Sequence, residues 1–150
     1  MRVIAFDPGK MTGWATYHVE TRAYEAGQLE FMPACIRLEE EIATAHAASE
    51  ALVVITESFL ITVNTAKNTQ APWSLELIGV FRYLTKRYVG SDIVLQSPSS
   101  AKSFGTDDKL REMGFYRPGM RHANDAARHL LLYVASKKIL SEEQLLKLVR

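Results

Sequence analysis

The first fourteen residues, Met1 to Trp14, constrain this chain more than any other stretch. Val3, Ile4, Ala5 and Phe6 form an uninterrupted apolar run, which suits a short strand covered on both faces. The run ends on Asp7, and Pro8-Gly9 turns the backbone directly after the carboxylate. Asp7 is therefore expected at the carboxyl tip of a buried strand. A second apolar run, Leu52-Val53-Val54-Ile55-Thr56, ends in the same way on Glu57. A late helical segment carries His122 and Asp125, so three separated acids and one imidazole can converge.

The intervening sequence supports that convergence. Gly13 to Val19 and Ala23 to Phe31 alternate as strands, and with the first strand they predict an antiparallel meander. Pro33 suits the first turn of a helix in which Leu38, Ile42 and Ala45 keep helical spacing to about Ser49. A strand, a helix and a strand in succession imply a right-handed parallel crossover. If Leu52 to Thr56 lies beside the first strand, Asp7 and Glu57 finish at one sheet edge, on strands about 4.8 Å apart. Residues 58–71 read as a loop, apolar at Phe59, Leu60 and Ile61 and then polar at Asn64, Lys67, Asn68 and Gln70.

Pro72 begins a helix with Trp73, Leu77, Phe81, Leu84 and Tyr88 at three- and four-residue spacing, stopped by Gly90. Ile93 to Gln96 is a further strand. Ser97-Pro98 and Thr106-Asp107-Asp108 are helix starts, and Gly114 to Arg121 is a basic loop. A helix from about His122 to Lys138 buries Ala123, Ala127, Leu130 and Val134. Ser141 to Gln144 is a capping box for the last helix. The expected class is α/β in a single domain over residues 1–150.

Composition narrows the function classes. A single cysteine, Cys35, forms no internal disulfide, and it reads as a small buried apolar residue. No charged-then-apolar leader is present and no apolar stretch approaches the roughly 20 residues of a membrane helix. A cytoplasmic protein without a membrane partner is expected. The net charge of +1 hides an asymmetry: residues 1–59 carry 4 Lys/Arg against 9 Asp/Glu, and residues 60–140 carry 12 against 6. A local basic surface permits phosphate contacts without demanding them; a solvated surface accounts for the same counts.

Carboxylates from two strand ends and a helix are hard oxygen ligands suited to Mg²⁺ or Mn²⁺. On the late helix His122, Asp125 and His129 fall on one polar stripe opposite the apolar one. Taken singly, Asp125 also reads as a solvated or capping acid and His129 as a solvent-facing imidazole.

Three segments together carry a resemblance. Asp7-Pro8-Gly9 with Thr12-Gly13, Glu57-Ser58-Phe59, and His122-Ala123-Asn124-Asp125-Ala126-Ala127 resemble, in order and spacing, the acidic motifs of RuvC-type Holliday junction resolvases. The resemblance implies a ribonuclease H-like fold: a mixed five-stranded sheet, a three-strand antiparallel meander plus two parallel strands, flanked by helices. It implies a homodimeric, Mg²⁺-dependent endonuclease, with two ions per site and Mn²⁺ as a substitute, that nicks branched DNA such as four-way junctions, flaps and forks. Such a compact chain is compatible with a phage-encoded enzyme acting in the host cytoplasm.

The resemblance assigns metal binding to Asp7, Glu57 and Asp125, and gives His122 the fourth acidic position. Lys102 and Lys109 resemble basic residues near the scissile phosphate, while surface lysines on two short helices are the plain alternative. Phe59 resembles the aromatic that wedges into the junction, with Leu60 or Ile61 able to serve in a longer loop. The glycine after the first motif stands one residue early, at Gly13. Lys67, Arg117, Arg121 and Arg128 could hold flanking phosphates. The stripe of Trp73, Leu77, Phe81 and Leu84 is expected to serve both as core and as the contact with a second copy. Competing readings are an RNA-processing nuclease on the same fold and a non-catalytic binder of branched DNA. An actin-like ATPase also shares the Asp-x-Gly start but needs two such domains.

Overall fold

A computed structural model describes residues 1–67 and 71–149. Five strands form one mixed sheet: β1 (Arg2–Asp7), β2 (Thr12–His18), β3 (Tyr24–Leu29), β4 (Leu52–Glu57) and β5 (Val94–Gln96). Their order is β3-β2-β1-β4-β5. The first three pair antiparallel, whereas β4 joins β1, and β5 joins β4, in parallel. The expected fold class and the adjacency of the two acid-bearing strands are both observed.

Strand β1 is buried on both sides because its alternate residues supply two cores. Val3 and Ala5 join Ala15, Tyr17 and Ile55 beneath helix α6 (Arg121–Ser136), which contributes Ala126, Ala127, Leu130, Leu131 and Val134. Ile4 and Phe6 join Leu52 and Val54 on the opposite face, beneath α1 (Phe31–Ala47) and α3 (Ala71–Leu84). The result is a three-layer α/β/α arrangement. Cys35 lies in the second core, where burial raises its thiol pKa.

Several boundaries differ from expectation for local reasons. Helix α1 starts at Phe31, which the alternation had assigned to a strand. Glu30 is extended and its carbonyl accepts from Ala34 N at 2.9 Å, so Pro33 sits inside the first turn, where its missing N–H costs nothing. The 58–71 segment contains a short helix α2 (Val63–Ala66), opened by a reciprocal Thr62–Thr65 capping box. Asn68 and Gln70 lie outside the described residues. After Leu84, helix α3 widens into a π-helical turn over Thr85–Val89 before Gly90, at φ +88°, ends it.

The remaining helices are α4 (Pro98–Phe104), capped by Ser97, α5 (Asp107–Glu112), capped by Thr106, and α7 (Glu142–Val149). The Ser141–Gln144 box is formed. One expectation is corrected on α3. Leu77, Phe81 and Leu84 are consumed by the chain's own core, with Phe81 stacked on Phe6 at 4.2 Å. Buried side chains cannot also meet a second copy, and Trp73 alone of that stripe is exposed.

Candidate metal and nucleic-acid site

Register builds the site before any long side chain is considered. Gly13 pairs with Gln28 and with Asp7, and Glu57 pairs with Gln96. Asp7 and Glu57 each follow the paired residues Phe6 and Thr56 on adjacent strands. Gln28, Gly13, Asp7, Glu57 and Gln96 therefore make one row across all five strands. Successive residues of a strand point to opposite faces, so the row shares the α6 side with Val3, Ala5 and Ile55.

Helix α6 is seated on this row at its first turn. Gly13 lets it approach: a Cβ there would lie 1.8 Å from His122 O. Gln28 Oε1 accepts from His122 N at 2.9 Å, satisfying a backbone donor that a helix start leaves open. On the other side of the first motif, Ser74 Oγ donates to Pro8 O at 2.7 Å and ties the turn after Asp7 to α3.

The same helix grips every acid of the site. His122 Nδ1 lies 3.0 Å from Asp7 Oδ2, Arg128 Nε donates to Asp125 Oδ1 at 3.2 Å, and His129 Nε2 lies 3.0 Å from Glu57 Oε2. His129 Nδ1 meets Gln96 Oε1, also at 3.0 Å. Burial is the main force raising the Asp7 carboxyl pKa; the His122 bond opposes it, and the charges of Glu57 and Asp125 add to the rise. His122 is raised as well, chiefly by its hydrogen bond to Asp7. Both partners of one pair thus move upward, because desolvation of Asp7 outweighs the attraction.

Asp7, Glu57, His122 and Asp125 line one cleft of about 220 Å³, together with Pro8, Gly9, Ser58, Phe59, Ser74, Lys102 and Arg121. No three of the site's ligand atoms lie within 4.8 Å of one another among the described residues. The tight group of that kind is His18, Glu20 and Glu50, near the start of β1. It is already neutralised, with Glu20 and Glu50 on the Met1 ammonium and Arg2 Nε 3.5 Å from Glu50. The cleft differs in chemistry. Three carboxylates face it, Asp7 resists ionisation there, and an oxygen-rich donor set with one imidazole fits a hard divalent cation.

The fold surrounding this cleft has counterparts among solved structures. Thermus thermophilus RuvC in complex with a Holliday junction substrate superposes with a TM-score of 0.62 at 14% identity, covering 93% of this chain and 97% of that one. A second Thermus thermophilus RuvC structure gives 0.60 at 17%, covering 93% and 98%. The fold is RuvC-like. No protein-family model matches the sequence, and no curated protein does.

On this RuvC-like fold the other expected residues separate into two groups. Lys102, Arg121 and Phe59 line the cleft. Leu60 and Ile61 stand beyond Phe59 with 69% and 72% of their surface exposed, and Lys67 is exposed on the same segment. Lys109 is not among the lining residues; its ammonium sits 4.4 Å above the Phe104 ring. Arg117 lies over Tyr24 at 4.7 Å and donates to Gly114 O and Tyr116 O, while its backbone is clasped from both sides by the Asn124 amide. Arg128 is committed inside the protein, donating to Gly105 O and Asp107 Oδ1 at 2.6 Å in addition to Asp125. Three of the five guanidinium N–H donors are thereby used within the protein.

His129 corrects the solvent-facing reading: it is 1% exposed. Its signal in the sequence was its setting, an imidazole directly before Leu130-Leu131 and three residues after Ala126. Gln28 and Gln96 gave no signal, since a glutamine at a strand end is ordinary surface until its row partners are known.

Proposed function

We propose that this chain is a divalent-metal-dependent endonuclease that nicks branched DNA, four-way junctions first among them. The observation that carries the reading is the gathering of Asp7, Glu57, His122 and Asp125 around one polar cleft at the carboxyl ends of adjacent parallel strands, on a RuvC-like fold whose solved counterpart is complexed with a Holliday junction substrate.

Asp7, Glu57 and Asp125, with His122, would hold one or two Mg²⁺ ions, or Mn²⁺ in their stead. Bound there, the metal supplies Lewis-acid stabilisation of the phosphate charge and a more acidic water. The chain's own residues do the rest. Asp7 and Glu57 are brought side by side by the ends of adjacent strands. Arg121 and Lys102 bring positive charge to the same cleft and would bind the phosphate as it gains charge. Phe59, with Leu60 and Ile61 exposed beyond it, offers an apolar surface for an unstacked base. Lys67 and Arg117 would hold flanking phosphates and set register without reading sequence.

In-line attack of water on phosphorus breaks the bond to the 3′ oxygen, leaving 5′-phosphate and 3′-hydroxyl ends that a ligase can rejoin. Cutting both strands of a symmetric junction calls for two equivalent sites, so a homodimer is part of the reading. A cytoplasmic setting belongs to the same reading.

The test is cleavage of end-labelled four-way junction, flap, fork, duplex and RNA substrates with Mg²⁺, Mn²⁺ and Ca²⁺. Paired nicks at the junction centre are expected. Junction binding without cleavage in every metal would replace the enzyme with a binding protein, and preference for RNA would replace its substrate.

A further inference from the structure

Buried polar groups persist in a core only where something offsets their desolvation, and α6 contains one that its neighbours do not require. His129 is 1% exposed and directly precedes the buried Leu130 and Leu131 in sequence, so its ring bears a desolvation cost that an apolar side chain would not. Its ring instead spans two side chains of the crossing row, Glu57 Oε2 through Nε2 and Gln96 Oε1 through Nδ1, each at 3.0 Å. Glu57 and Gln96 are register partners on β4 and β5. Ser58 N donates to Gln96 O at 2.8 Å, which fastens the two strand ends together directly beyond the acid.

We propose that His129, braced by Gln96, is the positioning residue of Glu57: it holds one carboxylate oxygen and so aims the other at the cation-binding cleft. The inference rests on the proposed metal centre. Nε2–H donates to an ionised Glu57 Oε2 whether Nδ1 donates to Gln96 Oε1, in the protonated ring, or accepts from the Gln96 NH2, with that amide turned over. Either arrangement restrains the glutamate's χ angles, because the ring is enclosed by core and cannot follow a rotating carboxylate. Glu57 is the acid that needs such help. Asp7 and Asp125 have shorter side chains and are both more buried, whereas Glu57 has an additional rotatable bond and a side chain that is 23% exposed. A ligand left free to rotate pays that entropy when the cation binds, and partners that orient a ligand are worth about 10–100-fold in metal affinity.

The experiment is Mn²⁺ titration, read by electron paramagnetic resonance without DNA, on wild type, Glu57→Gln, His129→Leu, His129→Gln and Gln96→Met, with a thermal melt of each. Wild type is expected to bind Mn²⁺ and Glu57→Gln to weaken binding sharply. His129→Leu should weaken binding about 10–100-fold while still melting cooperatively, and His129→Gln, which keeps a donor, should recover part of the loss. Gln96→Met removes the ring's brace at a half-buried strand end, so it carries the test should His129→Leu fail to fold. Wild-type affinity in His129→Leu, or in Gln96→Met if the former does not fold, overturns the role of His129 and leaves the metal centre standing. No Mn²⁺ binding by wild type, or none lost in Glu57→Gln, overturns the centre and this inference with it.

Discussion

Gly13→Ala tests the seating of α6 on the sheet more directly than any change to a charged residue. The new Cβ would stand 1.8 Å from His122 O, 2.1 Å from His122 C and 2.8 Å from Ala123 N, where ordinary contact begins at 3.4 Å. Relief requires the strand and the helix start to part by about 1.6 Å, and every obstructing atom is backbone, so no side chain can rotate away. The helix cannot slide freely, because Ala126, Ala127, Leu130 and Leu131 are packed on the same sheet. Overpacking costs about 1–3 kcal/mol, and backbone opposition sets the expectation at about 2–3. For a chain of this length that lowers Tm by about 4–12 °C. The displaced residue carries the imidazole on Asp7, and a 1 Å misplacement costs about 10²-fold in rate. Calorimetry and single-turnover nicking measure the two effects. Gly79→Ala is the opposite case: a Cβ there meets nothing within 4 Å, on an exposed position of α3. It should raise stability by about 0.5–1 kcal/mol and leave nicking unchanged. A Gly13→Ala protein that melts within about 2 °C of wild type and nicks at the wild-type rate would refute the close-approach argument.

Asp7→Asn, Glu57→Gln and Asp125→Asn should each lower nicking by about 10³-fold or more while junction binding in Ca²⁺ persists; full activity in any one excludes that residue from the site. His122 has a folded-state pKa above its unfolded value, so its contribution to metal-free stability is complete below pH ~6.5 and is lost as pH rises through the raised value. Melts of wild type should therefore fall as pH rises above ~6.5 more steeply than those of His122→Gln, and parallel slopes would contradict the Asp7 pairing. In the presence of metal the same proton competes with a ligand, so nicking should decline toward acid pH and His122→Asp should lose that decline; identical acid limbs in single-turnover profiles would show that another group titrates. Leu77→Asp should abolish folding instead of separating two folded copies, because Leu77 is fully buried within one chain; a folded monomer by sedimentation would return that residue to an interface.

Much of the acid geometry was legible because it is local. A continuous apolar run reports a strand buried on both faces, and Pro8-Gly9 reports a turn immediately after Asp7, so the position of an acid at a strand tip needs no distant information. The crossover rule then made β4 parallel to β1 in one sheet, the assembled strand order set it beside β1 and brought Glu57 to the same edge, and helical spacing put the apolar face of α6 on the sheet. Periodicity failed at His129 and at the α3 stripe, and for one reason. It reports which side of a helix is apolar, not what lies over the border of that side. His129 is four residues after Asp125 and was grouped with it, yet the ends of β4 and β5 cover that flank and turn a surface imidazole into a buried clamp on Glu57 and Gln96. The row from Gln28 through Gly13, Asp7 and Glu57 to Gln96 joins residues up to 89 positions apart in sequence, Asp7 and Gln96, only through strand register. Register is a property of the assembled sheet: each pairing is fixed by which side chains both cores accept, and a slip of one residue would turn the whole row away from α6.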